Sequence, residues 1–153
     1  MAHYDLLVIG TGPAGQKAAV QAAKLGKRVC IVERKEVVGG VCINTGTIPS
    51  KALREAALFF SGIPQRSIYG TPHQRKNTIT IEELTFHANN VIKNEIQIVH
   101  DQMARNRIDM TFGSASFLDP HCLRIQHSSG SIEQHTADFI TIAVGTEPSR
   151  PTE

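Results

Sequence analysis

The sequence has no long hydrophobic run and little excess of either charge. Lysine and arginine account for 16 of its 153 residues and aspartate and glutamate for 14, which gives a formal net charge of +2. A balance this close to neutral argues against a dedicated nucleic-acid surface. No apolar stretch approaches the roughly 20 residues needed to cross a bilayer. The sequence therefore predicts neither a nucleic-acid partner nor a membrane span.

Cysteine is sparse, and histidine lacks the spacing of a metal site. The three cysteines, Cys30, Cys42 and Cys122, fit a reducing cytoplasm better than a framework of disulfides. Seven histidines occur, but neither an HxxxH nor a CxxC pattern is present, so no metal site is predicted. The N-terminus, MAHYDLLVIG, lacks the basic region of a signal peptide and leads directly into a strand pattern. These features predict a cytoplasmic protein.

The periodicity of the N-terminal part predicts an α/β fold that begins with a βαβ unit. The apolar run DLLVIG, residues 5–10, indicates a strand buried on both faces. Alanines at helical spacing follow in residues 14–25, and Gly26 is placed to end that helix. Residues 28–33, RVCIVE, indicate a second strand. A strand, a helix and a strand within about 30 residues predict two parallel strands joined by a right-handed crossover.

The rest of the chain predicts a long helical insertion and then a small β-meander. Residues 34–48 are expected to be irregular, a helix to begin near Pro49, and residues 61–78 to form a loop. Thr80 and Glu83 have the spacing of a capping box, and an apolar helical period follows them. The strands expected after this helix are MTFGSASFL, CLRIQH, SIEQH and DFITIAVG.

A glycine pattern, GxGxxG, lies between the first predicted strand and its helix. Gly10 permits the tight turn, Gly12 lets backbone approach a pyrophosphate, and Gly15 lets helix and strand pack closely. Pro13 and Ala14 complete the pattern, and the helix N-terminus behind it presents free N–H groups to phosphates. The turn therefore predicts a dinucleotide-binding site.

An acidic residue, Glu33, stands 18 residues after Gly15, at the end of the second predicted strand. A carboxylate there accepts a hydrogen bond from a ribose 2′-hydroxyl and would repel a 2′-phosphate, which favours FAD or NAD over NADP at this turn. Arg34 and Lys35 belong to a small basic cluster that is expected to form a solvated rim. The βαβ unit alone does not choose between FAD and NAD, and an ordinary glycine-rich turn beside a solvated Glu33 is the alternative.

The ordered motifs GTGPAG, ER, GGVCINTGTIPSKAL, GSASF and TIAVGTEP closely resemble those of the flavoprotein disulfide reductases, which have two dinucleotide-binding domains. The resemblance covers essentially all 153 residues. It implies that residues 1–153 are the N-terminal segment of a Rossmann-like FAD-binding domain that ends before the NAD(P)-binding and dimerisation domains. Pro148 and Pro151 are typical of a linker to such a following domain. The full-length protein is expected to be a homodimer or a larger homo-oligomer.

The redox motif of that family, GGxCxxxGCIPSK, occurs here without its second cysteine. Cys42 matches the first thiol, and Thr47 stands where the family has the thiol nearest the flavin. A hydroxyl cannot form a disulfide, and it is far too weak an acid to act as a thiolate-like nucleophile. The resemblance extends to the branch with this substitution, the soluble pyridine nucleotide transhydrogenases, in which FAD passes hydride directly between NADPH and NAD⁺.

The same resemblance implies roles for the remaining site residues. Lys51 is expected to reach toward the flavin N5 region and to favour the anionic reduced flavin. Ala115 is expected to approach the adenine through its backbone, and Gly145 to let the chain pass close to the cofactor. The loop against the FAD pyrophosphate and ribityl chain is expected to comprise Gly39, Gly40, Val41 and Cys42. No catalytic residue is assigned, and NADPH and NAD⁺ are expected to bind mainly to a domain outside this chain.

Three interpretations of function remain open at this point. The first is transhydrogenation with FAD as the bound cofactor and the two nicotinamide dinucleotides as substrates. The second is a flavin reductase with another acceptor, either like dihydrolipoamide dehydrogenase, or with a quinone, or with Cys42 paired to a distant thiol. The third is a non-catalytic fragment that only binds FAD or a partner chain. In all three, the chain alone is expected to be inactive in transhydrogenation.

Overall fold

The computed structural model of the chain describes residues 1–61, 78–147, 149 and 151. The described strands are β1 (Ala2–Ile9), β2 (Val29–Glu33), β3 (Asp109–Phe112), β4 (Ser114–Asp119), β5 (Cys122–Gln126) and β6 (Ile132–Ile142). The described helices are α1 (Pro13–Lys24), α2 (Gly40–Asn44), α3 (Thr47–Ser61) and α4 (Ile81–Arg105). The chain divides into a first unit, Met1–Gly40 with Ile98–Glu153, and a second unit, Val41–Gln97. Most of the loop predicted at residues 61–78 lies outside the described residues.

In the first unit, six strands form one sheet in the order β3-β2-β1-β6-β5-β4. Strand β1 pairs in parallel with both β2 and β6, and β2 pairs in parallel with β3. Strands β4, β5 and β6 form an antiparallel meander. The predicted βαβ unit and the predicted meander are therefore both confirmed, and they share one sheet because β6 pairs with β1 of the βαβ unit and with β5 of the meander.

Apolar side chains from the parallel strands and from the meander form one core cluster in the first unit. Its buried members are Tyr4, Leu7, Cys30, Val32, Leu123, Ile125 and Ala137. Full burial of an aliphatic side chain contributes roughly 1.5–3 kcal/mol to the free energy of folding. The cluster therefore stabilises the sheet that positions the turns at the ends of β1 and β2. Cys30 and Cys122 are both buried, as expected for core residues. Burial raises the pKa of the Cys30 thiol to about 11, so this thiol stays protonated at neutral pH.

Two helix ends follow the local signals in the sequence. Beyond Lys24, the last residue of α1, Gly26 adopts a φ of 77° and its N–H donates to the carbonyl of Ala23 at 2.9 Å. At the start of α4, the predicted capping box is present. The Glu83 N–H donates to Thr80 Oγ1 at 3.3 Å, and the Thr80 N–H donates to Glu83 Oε2 at 3.2 Å.

The stretch MTFGSASFL forms two strands, so the prediction of one strand was wrong. The chain changes partners at Gly113, between β3 beside β2 and β4 beside β5. The Gly113 N–H donates to the carbonyl of Glu33 at 2.7 Å. A Cβ atom at Gly113 would lie 2.7 Å from the carbonyl oxygen of Gln126, so only glycine fits between these two strands.

Two other predicted boundaries were also wrong. SIEQH and DFITIAVG are parts of the single strand β6, because Thr136 and Ala137 continue the pairing with β1. The region predicted to be irregular, residues 34–48, contains α2 and the start of α3 at Thr47. Two glycines with positive φ, Gly39 and Gly40, turn the chain into α2.

The second unit contains α2 from Val41 onward, α3 and the first part of α4. Its buried side chains include Ala52, Ala56 and Ala88, which are small. The His87 imidazole lies 3.8 Å from the carboxylate of Glu55, and both side chains are largely exposed. Of the helices in the described ranges, none combines the length and the apolar character that crossing a membrane requires.

Candidate functional site

The turn between β1 and α1 has glycines where backbone atoms leave no room for a side chain. Gly10 has a φ of 106°, and a Cβ atom there would lie 2.4 Å from the carbonyl oxygen of Ala143. A Cβ atom at Gly15 would lie 1.9 Å from the carbonyl oxygen of Gly10. Rotation of a side chain cannot relieve a clash with backbone, so both glycines are required by the fold.

Gly12 differs from these two glycines, because a Cβ atom there would meet no atom of the described chain within 4 Å. Its φ of −65° is open to any residue. Gly12 is the N-cap of α1, and among the described residues no side chain caps this end and no acidic residue lies in the first turn. Pro13 and Ala14 in that turn are exposed. An anion could therefore approach the helix N-terminus over Gly12.

Thr11 is absent from the residues predicted from the sequence, yet it joins the glycine turn to Glu33. It is 1% exposed. Its backbone N–H donates to Glu33 Oε2 at 3.0 Å, and its hydroxyl donates to the same oxygen. The other carboxylate oxygen, Oε1, accepts from the Lys35 N–H at 3.0 Å. The half-buried carboxylate is thus held at both oxygens by this chain.

A signal for Thr11 was present in the predicted parallel pairing. The observed register pairs Ile9 with Val32, so the residues that follow them, at the ends of β1 and β2, are neighbours. A hydroxyl residue in the turn then lies within reach of an acidic residue that ends the adjacent strand. The distance of Glu33 from the glycine pattern was enough to predict Glu33. The register of β1 and β2 would also have been needed to predict Thr11.

A second pair of glycines packs against the first turn. The Gly39 N–H donates to Thr11 Oγ1 at 3.1 Å. Gly39 and Gly40 have φ values of 101° and 61°. A Cβ atom at Gly40 would lie 3.1 Å from the Cα of Gly12. The structure therefore brings the GxGxxG turn, Glu33 and the predicted loop glycines together within the first unit.

The segment after β6 also runs beside the glycine turn. The Ala143 N–H donates to the carbonyl of Ile9 at 2.8 Å. Gly145, two residues further on, is exposed and has a φ of 76°. Arg34 extends from the end of β2, where its exposed guanidinium lies 3.9 Å from the carboxylate of Glu147. This exposure fits the predicted solvated rim, and the ion pair contributes little to stability because it is solvent-screened.

Ala115 lies on β4, two residues after the glycine corner at Gly113. The side chain of Ala115 packs against the core cluster of the first unit, and its strand partner is Ile125. The Gly113 N–H is bonded to the Glu33 carbonyl, so β4 begins close to the end of β2. Its predicted contact with the adenine through the backbone stays a prediction.

The remaining predicted residues, Val41, Cys42, Thr47 and Lys51, belong to the second unit. Cys42 is half-buried with a free thiol, and the other three are exposed. The Gly46 N–H donates to the Val41 carbonyl at 2.7 Å, so the chain between Cys42 and Thr47 closes into one turn. This turn carries one thiol and one hydroxyl, so it cannot form the disulfide that two cysteines at these positions would form.

Histidine, cysteine and acidic side chains are spread out in the parts of the chain that the structure describes. There, no group of three or more histidine, cysteine, aspartate or glutamate side chains is placed to hold a metal ion. In the first unit, the turn offers backbone N–H donors and the Glu33 carboxylate. In the second unit, the polar groups among the predicted residues include the half-buried Cys42 thiol and the exposed Lys51 ammonium group.

The parallel strands, the crossover helix and the glycine turn define the class of the fold, which is Rossmann-like α/β. The family model described as pyridine nucleotide-disulphide oxidoreductase matches residues 4–153. The chain belongs to this family.

Relatives and a solved structure narrow the comparison. A soluble pyridine nucleotide transhydrogenase of Mycobacterium tuberculosis is 48% identical over 152 residues, which are 99% of this chain and 32% of that protein. Its namesake from Colwellia psychrerythraea is 40% identical over 97% of this chain and 32% of its own length. The chain thus spans about a third of the length of these curated relatives. The Cu(II) complex of the HOCl-induced flavoprotein disulfide reductase RclA from Escherichia coli aligns with a TM-score of 0.81 at 27% identity, covering 99% of this chain and 30% of that one.

Proposed function

We propose that the chain binds FAD and supplies the flavin site of an enzyme that transfers hydride between NADPH and NAD⁺. The observation that carries the proposal is Thr47, a hydroxyl in the position of a redox thiol, in a member of a family named for disulphide chemistry. The name that the M. tuberculosis and C. psychrerythraea relatives share, soluble pyridine nucleotide transhydrogenase, supports it. FAD, when bound, supplies a ring that takes hydride from one nicotinamide and gives it to another.

The first unit would hold the adenosine and pyrophosphate end of such a dinucleotide. The N-terminus of α1 would donate N–H groups to the pyrophosphate, and Gly12 leaves the approach open. Glu33 would accept from the ribose 2′-hydroxyl, and its charge would disfavour a 2′-phosphate. Gly39 and Gly40 would flank the phosphates beside Gly12. Arg34 would lie on the rim.

The second unit would serve the ring end of the cofactor. Lys51, exposed in the first turns of α3, would favour negative charge on the reduced cofactor through its ammonium group. Cys42 would pack as a single small thiol. Because Thr47 cannot form a disulfide with Cys42, no internal disulfide would take electrons from the reduced flavin, which would pass hydride directly to a nicotinamide. In the first unit, the backbone of Ala115 would meet the adenine, and Gly145 would let the chain pass the cofactor.

Two measurements test the proposal in turn. The first mixes the purified chain with FAD, removes free ligand by gel filtration and looks for the visible absorption of bound flavin. The second uses a protein that carries this sequence at the full length of its relatives and follows thio-NADH formed from NADPH and thio-NAD⁺. Bound flavin and thio-NADH are both expected. If flavin binds but no thio-NADH forms, the hydride-transfer part of the proposal is wrong and the flavin-binding part stands. If neither the purified chain nor the full-length protein binds flavin, the whole proposal is wrong.

A second candidate function is a flavin reductase with another acceptor. It is favoured by the structural similarity to RclA, a flavoprotein disulfide reductase, and by the free, half-buried thiol of Cys42. In the NADPH assay, a quinone or a small disulfide would then be reduced while thio-NAD⁺ is not. For the complete enzyme, we also propose a cytoplasmic location. We further propose that it forms a homodimer or a larger homo-oligomer, and size-exclusion chromatography with light scattering would test this oligomeric state.

A further inference from the structure

We infer that Thr11 is the positioning residue for Glu33, and that it leaves Oε1 as the carboxylate oxygen that receives the ribose 2′-hydroxyl. The inference rests on the proposed function, because it concerns how a proposed adenine-dinucleotide site selects its ribose. It assigns a role to a residue that lies inside the glycine pattern but is not one of its glycines.

The hydrogen bonds of Glu33 distinguish its two oxygens. An ionised carboxylate has about four acceptor positions, two on each oxygen. Oε2 accepts from both the N–H and the hydroxyl of Thr11, whereas Oε1 accepts only from the Lys35 N–H among the described donors. Oε2 is therefore filled and Oε1 keeps one position. A ribose hydroxyl that binds Glu33 is directed to Oε1.

Thr11 in turn is fixed at every polar atom. Its hydroxyl oxygen accepts from the Gly39 N–H at 3.1 Å while its proton is donated to Glu33. Its carbonyl accepts from the side-chain amide of Gln16 at 2.8 Å. Because Thr11 is 1% exposed, water cannot easily replace these bonds. One hydroxyl therefore ties together the glycine turn, the carboxylate and the second glycine pair.

This arrangement orders the carboxylate before any ligand arrives. A free glutamate side chain samples several rotamers. If the ligand has to fix it in one rotamer, the lost conformational entropy opposes binding. In this chain, Thr11 and the Lys35 amide fix it during folding, so ligand binding is not opposed by that loss of freedom. The consequence is that Thr11 should control discrimination at the 2′ position without contacting the ligand.

The test compares ADP with 2′-deoxy-ADP, titrated into the isotope-labelled chain and followed by NMR. The variants are Thr11→Val, which keeps the side-chain shape but removes the hydroxyl, and Thr11→Ser, which keeps the hydroxyl. In the unmodified chain, ADP should bind about tenfold more tightly than 2′-deoxy-ADP, the size expected for a hydrogen bond to a charged group. Thr11→Ser should keep that ratio, and in Thr11→Val it should fall toward one.

The ratio separates positioning from simple loss of structure. A merely structural role would weaken both ligands equally in Thr11→Val and leave their ratio unchanged, which would overturn the inference. Equal binding of the two ligands by the unmodified chain, or no binding of ADP, would instead overturn the proposed ribose site itself, and the inference with it. These two failures are therefore distinguishable.

A measurement without ligand or variant covers the case in which Thr11→Val does not fold. The hydroxyl proton of Thr11 should exchange slowly enough to be seen by NMR, with a through-space contact to the Gly39 amide proton. The Gly39 amide should also be protected from hydrogen exchange. If this amide exchanges as fast as that of an exposed residue, the hydroxyl does not hold the loop and the inference is wrong.

Discussion

The two units place their special residues under different constraints. In the first unit, Gly10 and Gly15 are required because a Cβ atom would meet backbone at 2.4 and 1.9 Å, and buried Thr11 is bonded on all sides. In the second unit, Thr47 and Lys51 are exposed and Cys42 is half-buried. Gly10, Gly15 and Thr11 are thus required by the fold of the first unit, whereas we expect that the exposed position 47 can change its chemistry without disturbing packing.

The largest expected effect tests the steric side of this comparison. Gly15→Ala places a methyl group 1.9 Å from a backbone oxygen that no side-chain rotation can move. We expect the free energy of unfolding to fall by about 3 kcal/mol or more, the upper end of the range for overpacking. Urea denaturation followed by circular dichroism measures this change.

Gly12→Ala is the matched control in the same turn. Its new methyl group meets no described atom within 4 Å, so the loss of stability should stay within about 1 kcal/mol, the cost of alanine at an N-cap. ADP affinity should nevertheless drop, since the methyl group would stand where the pyrophosphate approaches. Equal destabilisation by the two substitutions would show that the distinction between fold-required and ligand-required glycines is wrong.

The second prediction tests whether position 47 changes chemistry without changing the fold. Thr47→Cys should leave the midpoint of urea unfolding nearly unchanged, because the side chain is exposed. Under mild oxidation, the introduced thiol should form a disulfide with Cys42, since the turn between them is closed by the bond from Gly46 to Val41. A disulfide needs Cα atoms within about 7 Å of each other.

Thiol counting and peptide mapping measure the outcome. The unmodified chain has three free cysteines, and Thr47→Ser should behave like it under oxidation. In oxidised Thr47→Cys, Cys42 and the introduced thiol should no longer be counted as free thiols, while the buried Cys30 and Cys122 should still be counted. At the full length of the relatives, transhydrogenation should be largely retained, since the proposed hydride path does not use a disulfide. Persistence of the introduced thiol after oxidation would mean that the two positions are not neighbours.

Much of the first unit could be predicted from its sequence because its signals are local. Glycine spacing, an apolar run on each side and Glu33 at a fixed distance specify the βαβ turn without knowledge of distant contacts. Thr11 could not be found in that way, because its partners Glu33 and Gly39 are brought to it by strand pairing and by a loop. The spacing of residues along the sequence identifies the glycine pattern and Glu33. The register of the paired strands is needed to identify a residue such as Thr11, whose role depends on its partners.

The wrong strand boundaries have a similar cause. Gly113 in MTFGSASFL was a possible sign of a break, but only the close approach of Gln126 makes the break necessary. Where the sequence predicted two strands, SIEQH and DFITIAVG, the structure has the single strand β6. His135 is buried in the sheet, where its Nδ1 accepts from the Ala2 N–H at 3.3 Å. Partners far along the chain decided both boundaries.

The smallest expected effect concerns a local signal at the start of α4. Thr80→Ala removes the hydroxyl that accepts from the Glu83 N–H, and loss of such a cap typically costs about 1 kcal/mol. Thr80→Ser keeps the acceptor and should lose only a few tenths of a kcal/mol. Both are measured by urea denaturation, as for Gly15→Ala. Equal losses in the two variants would show that the hydroxyl does not cap the helix. A loss as large as that of Gly15→Ala would show that the second unit is as tightly constrained as the first.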